Sequence, residues 1–362
     1  MKSNTIIDDP YHIDKDQKMH FLSSAINKEE VEPLLHNLIS DLLGKKIEID
    51  IFQIKVLRYK PNKRCIIEYD IKISQNVNYT AKNGNNYFIL KLLGKACSKS
   101  TDLRTFHLLQ NLWENGFDTN SSDFISIPQP IGIISKFNMW FQPKIDSIPL
   151  IDKLLYDNKN ESSRLISKIS DAIIKLHKTT FLQNSRFHSL SDELSILDDR
   201  LSQTMEENSC WKSEIENVLD NCHKLSKLIS SSNNIKNIHR DFYHDQVIVD
   251  NNSRIYLVDL DLCCKGDPTL DIGNFNAHLE EYSLRISGDT QMFSQLSNIF
   301  INRYLELSKN TSMFSVNAYT LLSLARHIWI STKFSDRKHT TSKLISICNS
   351  RIKFLINTRN NL

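Results

Sequence analysis

His239-Arg240-Asp241-Phe242-Tyr243-His244-Asp245-Gln246 runs into Val247-Ile248-Val249, a polar turn at Asn251-Asn252-Ser253, and then Ile255-Tyr256-Leu257-Val258-Asp259-Leu260-Asp261. The short apolar runs on either side of the turn read as the two strands of a hairpin. A hairpin brings the loop before its first strand and the loop after its second strand out at the same end. Asp241 and Asp259 are therefore expected to face each other, with Gln246 between them. Two carboxylates and a neutral amide oxygen on rigid loops suit phosphoryl transfer. Asp259 and the side-chain oxygen of Gln246 can hold Mg²⁺, a hard cation that prefers oxygen. Asp241 can orient an acceptor hydroxyl and take its proton late. The bland alternative for this stretch is a plain hairpin with two acidic turns.

Upstream the period is mostly that of strands. Ile47, Ile49 and Ile51 alternate with polar residues, as do Ile67, Tyr69, Ile71 and Ile73, which predicts half-buried strands joined by the turn Lys60-Pro61-Asn62-Lys63-Arg64. Tyr87 to Leu93 reads as a third strand, reached through Asn83-Gly84-Asn85. Short strands are expected at Ile131–Ile134 and Met139–Phe141. Helices are expected over Glu29–Leu43 and from Ser100 or Thr101 through Trp113. From Leu150 onward the spacing is mostly helical, apart from the hairpin. The chain is thus expected to be α+β, with a strand-rich first part and a larger helical second part.

Composition sets outer bounds. The 45 basic and 42 acidic side chains leave a formal charge of +3, no electrostatic footprint for duplex nucleic acid. No uninterrupted apolar run approaches the ~20 residues of a membrane span, and the acidic start, with Asp8, Asp9, Asp14 and Asp16, shows no secretory signal. The 7 cysteines include no C-x-x-C, which argues against a disulfide framework or a zinc site and points to a reducing cytoplasm. Only 8 residues are glycine, so a phosphate-binding loop here lacks the usual glycines. Gly266 and Gly273, just after Asp259, are expected where the backbone turns tightly.

The segment from His239 to Asp271 resembles the aminoglycoside phosphotransferase family, also called the phosphotransferase enzyme family, small-molecule kinases of the protein-kinase-like superfamily. The family pattern is usually H-G-D-x-x-x-x-N, then I-D-F or V-D-F-D, then G-D-P-x-x-D. The resemblance extends in ordered pieces from Lys46 to Phe275. It implies a protein-kinase-like two-lobed α+β fold: an N-terminal nucleotide-binding lobe over 1–141 with a helical extension over 1–44, a hinge over 142–146, and a helical lobe over 147–362 carrying the catalytic and metal loops at 239–273. It implies ATP and Mg²⁺ as cofactors and a small-molecule hydroxyl, aminoglycoside-, sugar- or amino-alcohol-like, as acceptor. Residue by residue, it makes Asp241 the base-like catalytic residue and Gln246 and Asp259 the Mg²⁺ ligands. It makes Lys91 the lysine on the ATP α/β-phosphates, and Phe141-Gln142-Pro143-Lys144 the hinge that meets adenine through its backbone. Ile173-Ile174-Lys175-Leu176-His177 matches a helix ending in L-H, a packing feature.

Three departures stand beside the match. Gln246 occupies the place where Asn is commonest, keeping the neutral oxygen on a longer arm. The phosphate-covering turn has no glycine; Lys60, Lys63 and Arg64 either substitute charge for backbone amides or form an ordinary solvated turn. No Glu stands at the expected place in the helix after Lys91, where Asp102 and Glu114 are the acidic candidates. His239, His177 and His327 read as structural histidines, Asp271 as an anchor for a helix or backbone, and Glu280-Glu281 as a charged helix face, with a cationic-substrate pocket as the alternative. A nucleotide-binding regulatory protein without turnover remains open. A protein kinase is less favoured, because only 12 residues separate Asp259 from Asp271 and leave no peptide-docking segment.

Overall fold

A computed structural model of the chain describes residues 5–45, 47–74, 87–180, 186–229 and 234–360. The turn expected at Asn83-Gly84-Asn85 lies outside the described residues. The chain divides into two compact units, Met1–Asp146 and Ser147–Leu362.

The first unit contains β1 (Ile6–Asp8), α1 (Leu22–Ala25), α2 (Lys28–Leu43), β2 (Glu48–Lys60), β3 (Arg64–Ser74), β4 (Tyr87–Cys97), α3 (Leu103–Leu112), β5 (Ile125–Ser126), β6 (Gly132–Ile134) and β7 (Met139–Pro143). Its main sheet runs in the order β1-β2-β3-β4-β7-β6. The pairs are antiparallel except β1, which joins the edge of β2 in parallel through Ile6–Asp8. That edge strand is too short to leave a period in the sequence. α2 starts where the Asn27 side chain caps the Glu29 amide, and ends at Gly44, whose φ of 60° suits glycine. Val31, Leu35 and Ile39 of α2 pack on Ile51, Ile67, Tyr69, Ile71 and Leu92 of the sheet.

The opposite face of β3 departs from the half-buried expectation. Glu68 is 1% exposed and Asp70 4%. Lys55 on β2 and Lys144, just past β7, cover them: Lys144 Nζ lies 2.6 Å from Glu68 and Lys55 Nζ 3.2 Å from Asp70. Long lysine stems close over the carboxylates while their charges pair, so period two predicts which residues share the face but not its burial.

The second unit contains β8 (Ser147–Pro149), α4 (Leu150–Tyr156), α5 (Lys159–His177), β9 (Phe187–His188), α6 (Leu190–Glu207), α7 (Lys212–Ser226), β10 (Lys236–Ile238), β11 (Val247–Asp250), β12 (Ile255–Leu257), β13 (Cys264–Gly266), α8 (Thr269–Ser287), α9 (Ser294–Leu307), α10 (Met313–Lys333) and α11 (Thr341–Asn360). β11 and β12 form the expected hairpin, in the register Val247↔Leu257 and Val249↔Ile255, and β8 pairs with the other edge of β11. β13 lies between β10 and β9, so the chain after Asp259 returns beside the strand that leads into His239. Leu201, Val218, Cys222, Leu324, Ile328, Leu344 and Cys348 join α6, α7, α10 and α11 in one core.

Gly266 and Gly273 do not mark turns. Gly266 is in β13, where an added Cβ would meet Ile238 Cδ1 at 2.5 Å, and Gly273 is inside α8, where it would meet Tyr319 Cβ at 2.5 Å and the Thr320 amide at 2.6 Å. Both glycines serve close approach of neighbouring elements, α8 against α10 in the second case. Among the described residues no helix is long and apolar enough to cross a membrane.

Candidate active site

β10 delivers the chain to His239, Arg240 and Asp241, and the loop that follows is anchored from below by one residue. Asp271, in the first turn of α8, is fully buried and accepts the backbone amides of His239 at 2.8 Å and Arg240 at 2.7 Å. Its carboxylate also meets His177 Nε2 at 2.9 Å, and His177 Nδ1 lies 3.1 Å from the Tyr304 hydroxyl. These bonds hold Arg240 at φ 71°, a conformation that a non-glycine residue keeps only when its surroundings compel it. Asn274 donates to the Phe242 carbonyl at 3.0 Å.

The far end of the hairpin is tied to the same loop. His239 Nε2 lies 2.9 Å from the Val258 carbonyl, and the Val258 amide donates to the Gln246 carbonyl at 3.0 Å. Asp259 comes next, at φ 58° and ψ 44°. Asp241, Gln246 and Asp259 are thereby gathered at one end of β11–β12, Gln246 buried and the two carboxylates half-buried. Tyr243 reports the field there. Burial first, and then the charges of Asp245, Asp241 and Asp259, push its phenol up to about 12, while a hydrogen bond with the Gln246 side chain opposes the rise. Among the described residues no three His, Cys, Asp or Glu side chains converge as a metal site. The set present, carboxylates with an amide oxygen, fits a Mg²⁺ that takes its remaining ligands from phosphate and water.

The other candidates belong to the first unit. Lys91 on β4 stands opposite Asp70 in the register, and its carbonyl accepts the Lys144 amide at 2.9 Å. No ion pair of Lys91 occurs among the described residues. Asp102 instead caps α3, accepting the Thr105 amide at 3.1 Å and hydroxyl at 2.7 Å, and Glu114 is exposed beyond the end of α3. Phe141 is buried in the sheet core and its carbonyl accepts the Ile131 amide at 2.8 Å; Gln142 is buried, and the Lys144 ammonium is held by Glu68.

Lys60, Lys63 and Arg64 are exposed at the β2–β3 tip. The charge of Arg64 first, then burial, Arg58 and Lys63, lower the Lys60 ammonium, as expected of crowded like charges. Arg64 pairs with Cys97, so the tip stands roughly 20 Å along β4 from Lys91 at ~3.3 Å per residue. The tip is not left loose. Asp16 accepts the Asn62 amide at 2.8 Å and the Tyr59 hydroxyl at 2.7 Å. With Pro61, Asn62 at φ 59° and a Lys63-to-Lys60 backbone bond of 3.0 Å, this has the pattern of a type II turn, which explains how the hairpin closes without glycine.

Glu68, Asp70, Asp16 and Tyr243 escaped the sequence reading. The acids at alternate positions in an otherwise β-branched strand were the one available signal for Glu68 and Asp70, because acidic residues are depleted in strands.

The sequence matches the phosphotransferase enzyme family over residues 78–282, more than half of the chain. No curated protein matches it significantly. Among solved structures it is similar to a choline kinase from Cryptosporidium parvum Iowa II, at 12% identity over 92% of this chain and 97% of that one, with a TM-score of 0.58. A spectinomycin phosphotransferase solved with ADP and spectinomycin is 12% identical over 91% and 98%, with a TM-score of 0.54. A choline kinase from Streptococcus pneumoniae is 13% identical over 91% and 99%, with a TM-score of 0.53. At these identities the solved structures speak for the protein-kinase-like α+β fold, and the 78–282 match speaks for descent: the chain belongs to the phosphotransferase enzyme family.

Proposed function

We propose that the chain is an ATP- and Mg²⁺-dependent phosphotransferase that moves the γ-phosphoryl group to a hydroxyl of a small molecule. The observation that carries this reading is the gathering of Asp241, Gln246 and Asp259 at one end of a hairpin whose loop is anchored by buried Asp271. The Asp241 carboxylate accepts a hydrogen bond from the acceptor hydroxyl and receives its proton as the oxygen attacks phosphorus. The bond from the γ-phosphorus to the bridging oxygen breaks, and its electron pair leaves with ADP. Asp259 and the Gln246 side-chain oxygen would hold Mg²⁺, which when bound would supply positive charge to the phosphates. Lys91 serves the α/β-phosphates and the Phe141–Lys144 stretch the adenine. Because the Phe141 carbonyl and the Lys144 amide already bond within the sheet, the adenine contacts there fall to the other backbone groups of the stretch. Lys60, Lys63 and Arg64 add positive charge at the hairpin tip.

Asp241→Asn is expected to lower kcat by about 10²–10⁴-fold while Mg-ATP still raises the melting temperature. Asp259→Ala is expected to lose that Mg-dependent shift. Equal ADP formation by wild type and Asp241→Asn with every acceptor overturns the assignment. A second reading, nucleotide binding without turnover, is favoured by one observation, the lack of an acidic partner for Lys91 among the described residues. It predicts a Mg-ATP thermal shift with no acceptor-dependent ADP formation.

A further inference from the structure

Below the loop that carries Asp241, polar side chains with unspent hydrogen-bonding capacity gather on one face of α8. His278, Glu281, Tyr282 and Arg285 fall on that face by helical spacing, and α10 adds His327. Tyr243 joins them to the candidate transfer site. Its phenol is in the field of Asp241 and Asp259, and its ring stacks on His278 at 4.2 Å between centroids and 22° between planes. His278 in turn meets His327 at 4.4 Å.

Glu281 is 2% exposed and His327 1%, yet Glu281 Oε1, both ring nitrogens of His327 and Nε2 of the partly exposed His278 have no hydrogen-bond partner. Arg285 Nε, 3.4 Å from Glu281 Oε1, and Arg337 Nε are likewise without a hydrogen bond. Buried polar atoms rarely stay unmatched, so beyond the Glu281–Arg285 ion pair the two histidines offer donors and acceptors to water or to the polar groups of a bound molecule. Of the pair expected to form a charged helix face, Glu281 is buried and Glu280 is bound to Arg351.

The chemistry of the set selects its occupant. Burial first, then His327, His244, Arg326 and Arg337, hold the His278 imidazole well below its ordinary value, and burial with Arg326, Arg337, His244 and Arg285 does the same for His327. Each neutral imidazole offers one donor and one acceptor; the carboxylate accepts and the guanidinium groups donate. Hydroxyl groups answer every one of these needs because each both donates and accepts. A cation gains little, since the nearby carboxylates already have partners: Glu193 lies 3.7 Å from Arg326, Glu281 lies 3.4 Å from Arg285, and Asp245 is bonded to His244.

We propose that His278, His327, Glu281 and Arg285 form the acceptor subsite for a neutral polyhydroxylated molecule of sugar or cyclitol type, one of whose hydroxyls is presented to Asp241. The proposal rests on the phosphotransfer reading above. Its test offers Mg-ATP and the full chain a panel of glucose, galactose, mannose and myo-inositol beside choline, ethanolamine and the polycationic kanamycin, reading ADP. The expected result is acceptor-dependent ADP from a neutral polyol, with kcat/KM at least about tenfold above any cation. Glu281→Gln and His278→Gln, checked for folding by their melting curves, are expected to raise the polyol KM by about 10- to 100-fold, with the ATP KM within about twofold. Preference for choline, ethanolamine or kanamycin overturns this proposal and leaves phosphotransfer standing. Polyol turnover that neither folded variant alters also overturns it, because water alone then satisfies the cluster. Absence of acceptor-dependent ADP from every polyol of the panel overturns this proposal, and only the additional absence of a Mg-ATP thermal shift removes the phosphotransfer reading as well.

Discussion

Arg240 and Asn62 are two of the non-glycine residues held at positive φ, and an aspartate distant in sequence braces each. Asp271 braces Arg240 from inside the second unit, fully buried, with two backbone amides and His177 as partners. Asp16 braces Asn62 at the surface of the first unit, 7% exposed, with one hairpin amide, the Tyr59 hydroxyl and the amides of Lys18 and Met19. Burial raises the Asp16 carboxyl, but the bonds from Asn62, Tyr59, Met19 and Lys18 outweigh it and hold the group below its usual value. The first brace is buried where Asp271 of α8 meets His177 at the end of α5, and it holds the backbone of the loop carrying Asp241 directly. The second comes from the N-terminal extension and reaches a hairpin tip whose charged side chains are exposed. Both loops are held by carboxylate hydrogen bonds, but the side chains beside the second brace, Lys60, Lys63 and Arg64, are exposed.

Asp271→Ala breaks that comparison most severely. It leaves the His239 and Arg240 amides and His177 without a buried partner, at a cost of about 3–5 kcal/mol. Chemical denaturation checks it, and a loss near ~1 kcal/mol, typical of an ordinary hydrogen bond, shows that the loop does not depend on this brace. Asp16→Ala is expected to lose only about 1–2 kcal/mol. It should raise the ATP KM a few-fold through a looser tip and leave kcat alone; a fall in kcat as large as that of Asp241→Asn removes the distinction between the two loops.

The smallest effect is a pH dependence confined to the second unit. His278 and His327 titrate near 6.5 when unfolded and well below that when folded. The unfolded chain therefore binds more protons below about pH 6.5, and stability falls as pH drops through that range, by at most about 1.4 kcal/mol per pH unit for each histidine. His327→Leu should flatten the fall between pH 6.5 and 5. An unchanged slope assigns the acid sensitivity to other groups.

The spacing of His239, Asp241, Gln246, Asp259 and Asp271 was readable because each motif is local, and a hairpin of known sense converts spacing into proximity. The strands of the first unit were readable for the same reason, as period two marks which residues share a face. The edge strand at Ile6–Asp8 and the strand at Cys264–Gly266 were not, because three residues make no period and neither exists without its neighbour. Gly266 and Gly273 misled, since close packing and tight turning call for the same residue.

What the sequence determined by itself is the chemistry available: two carboxylates and an amide in family order, a strand lysine, a basic turn and a helical second half. Tertiary structure alone decided how those groups are held and what they meet. Asp271 acts across 94 residues on His177, and Asp16 across 46 on Asn62. Glu68 is closed over by Lys144 from 76 residues away. The histidines of α8 and α10 meet only because Gly273 lets the two helices approach. Local sequence specifies a residue's backbone period and functional groups, but burial and partners follow from which distant segments pack against it, and no local pattern encodes that choice.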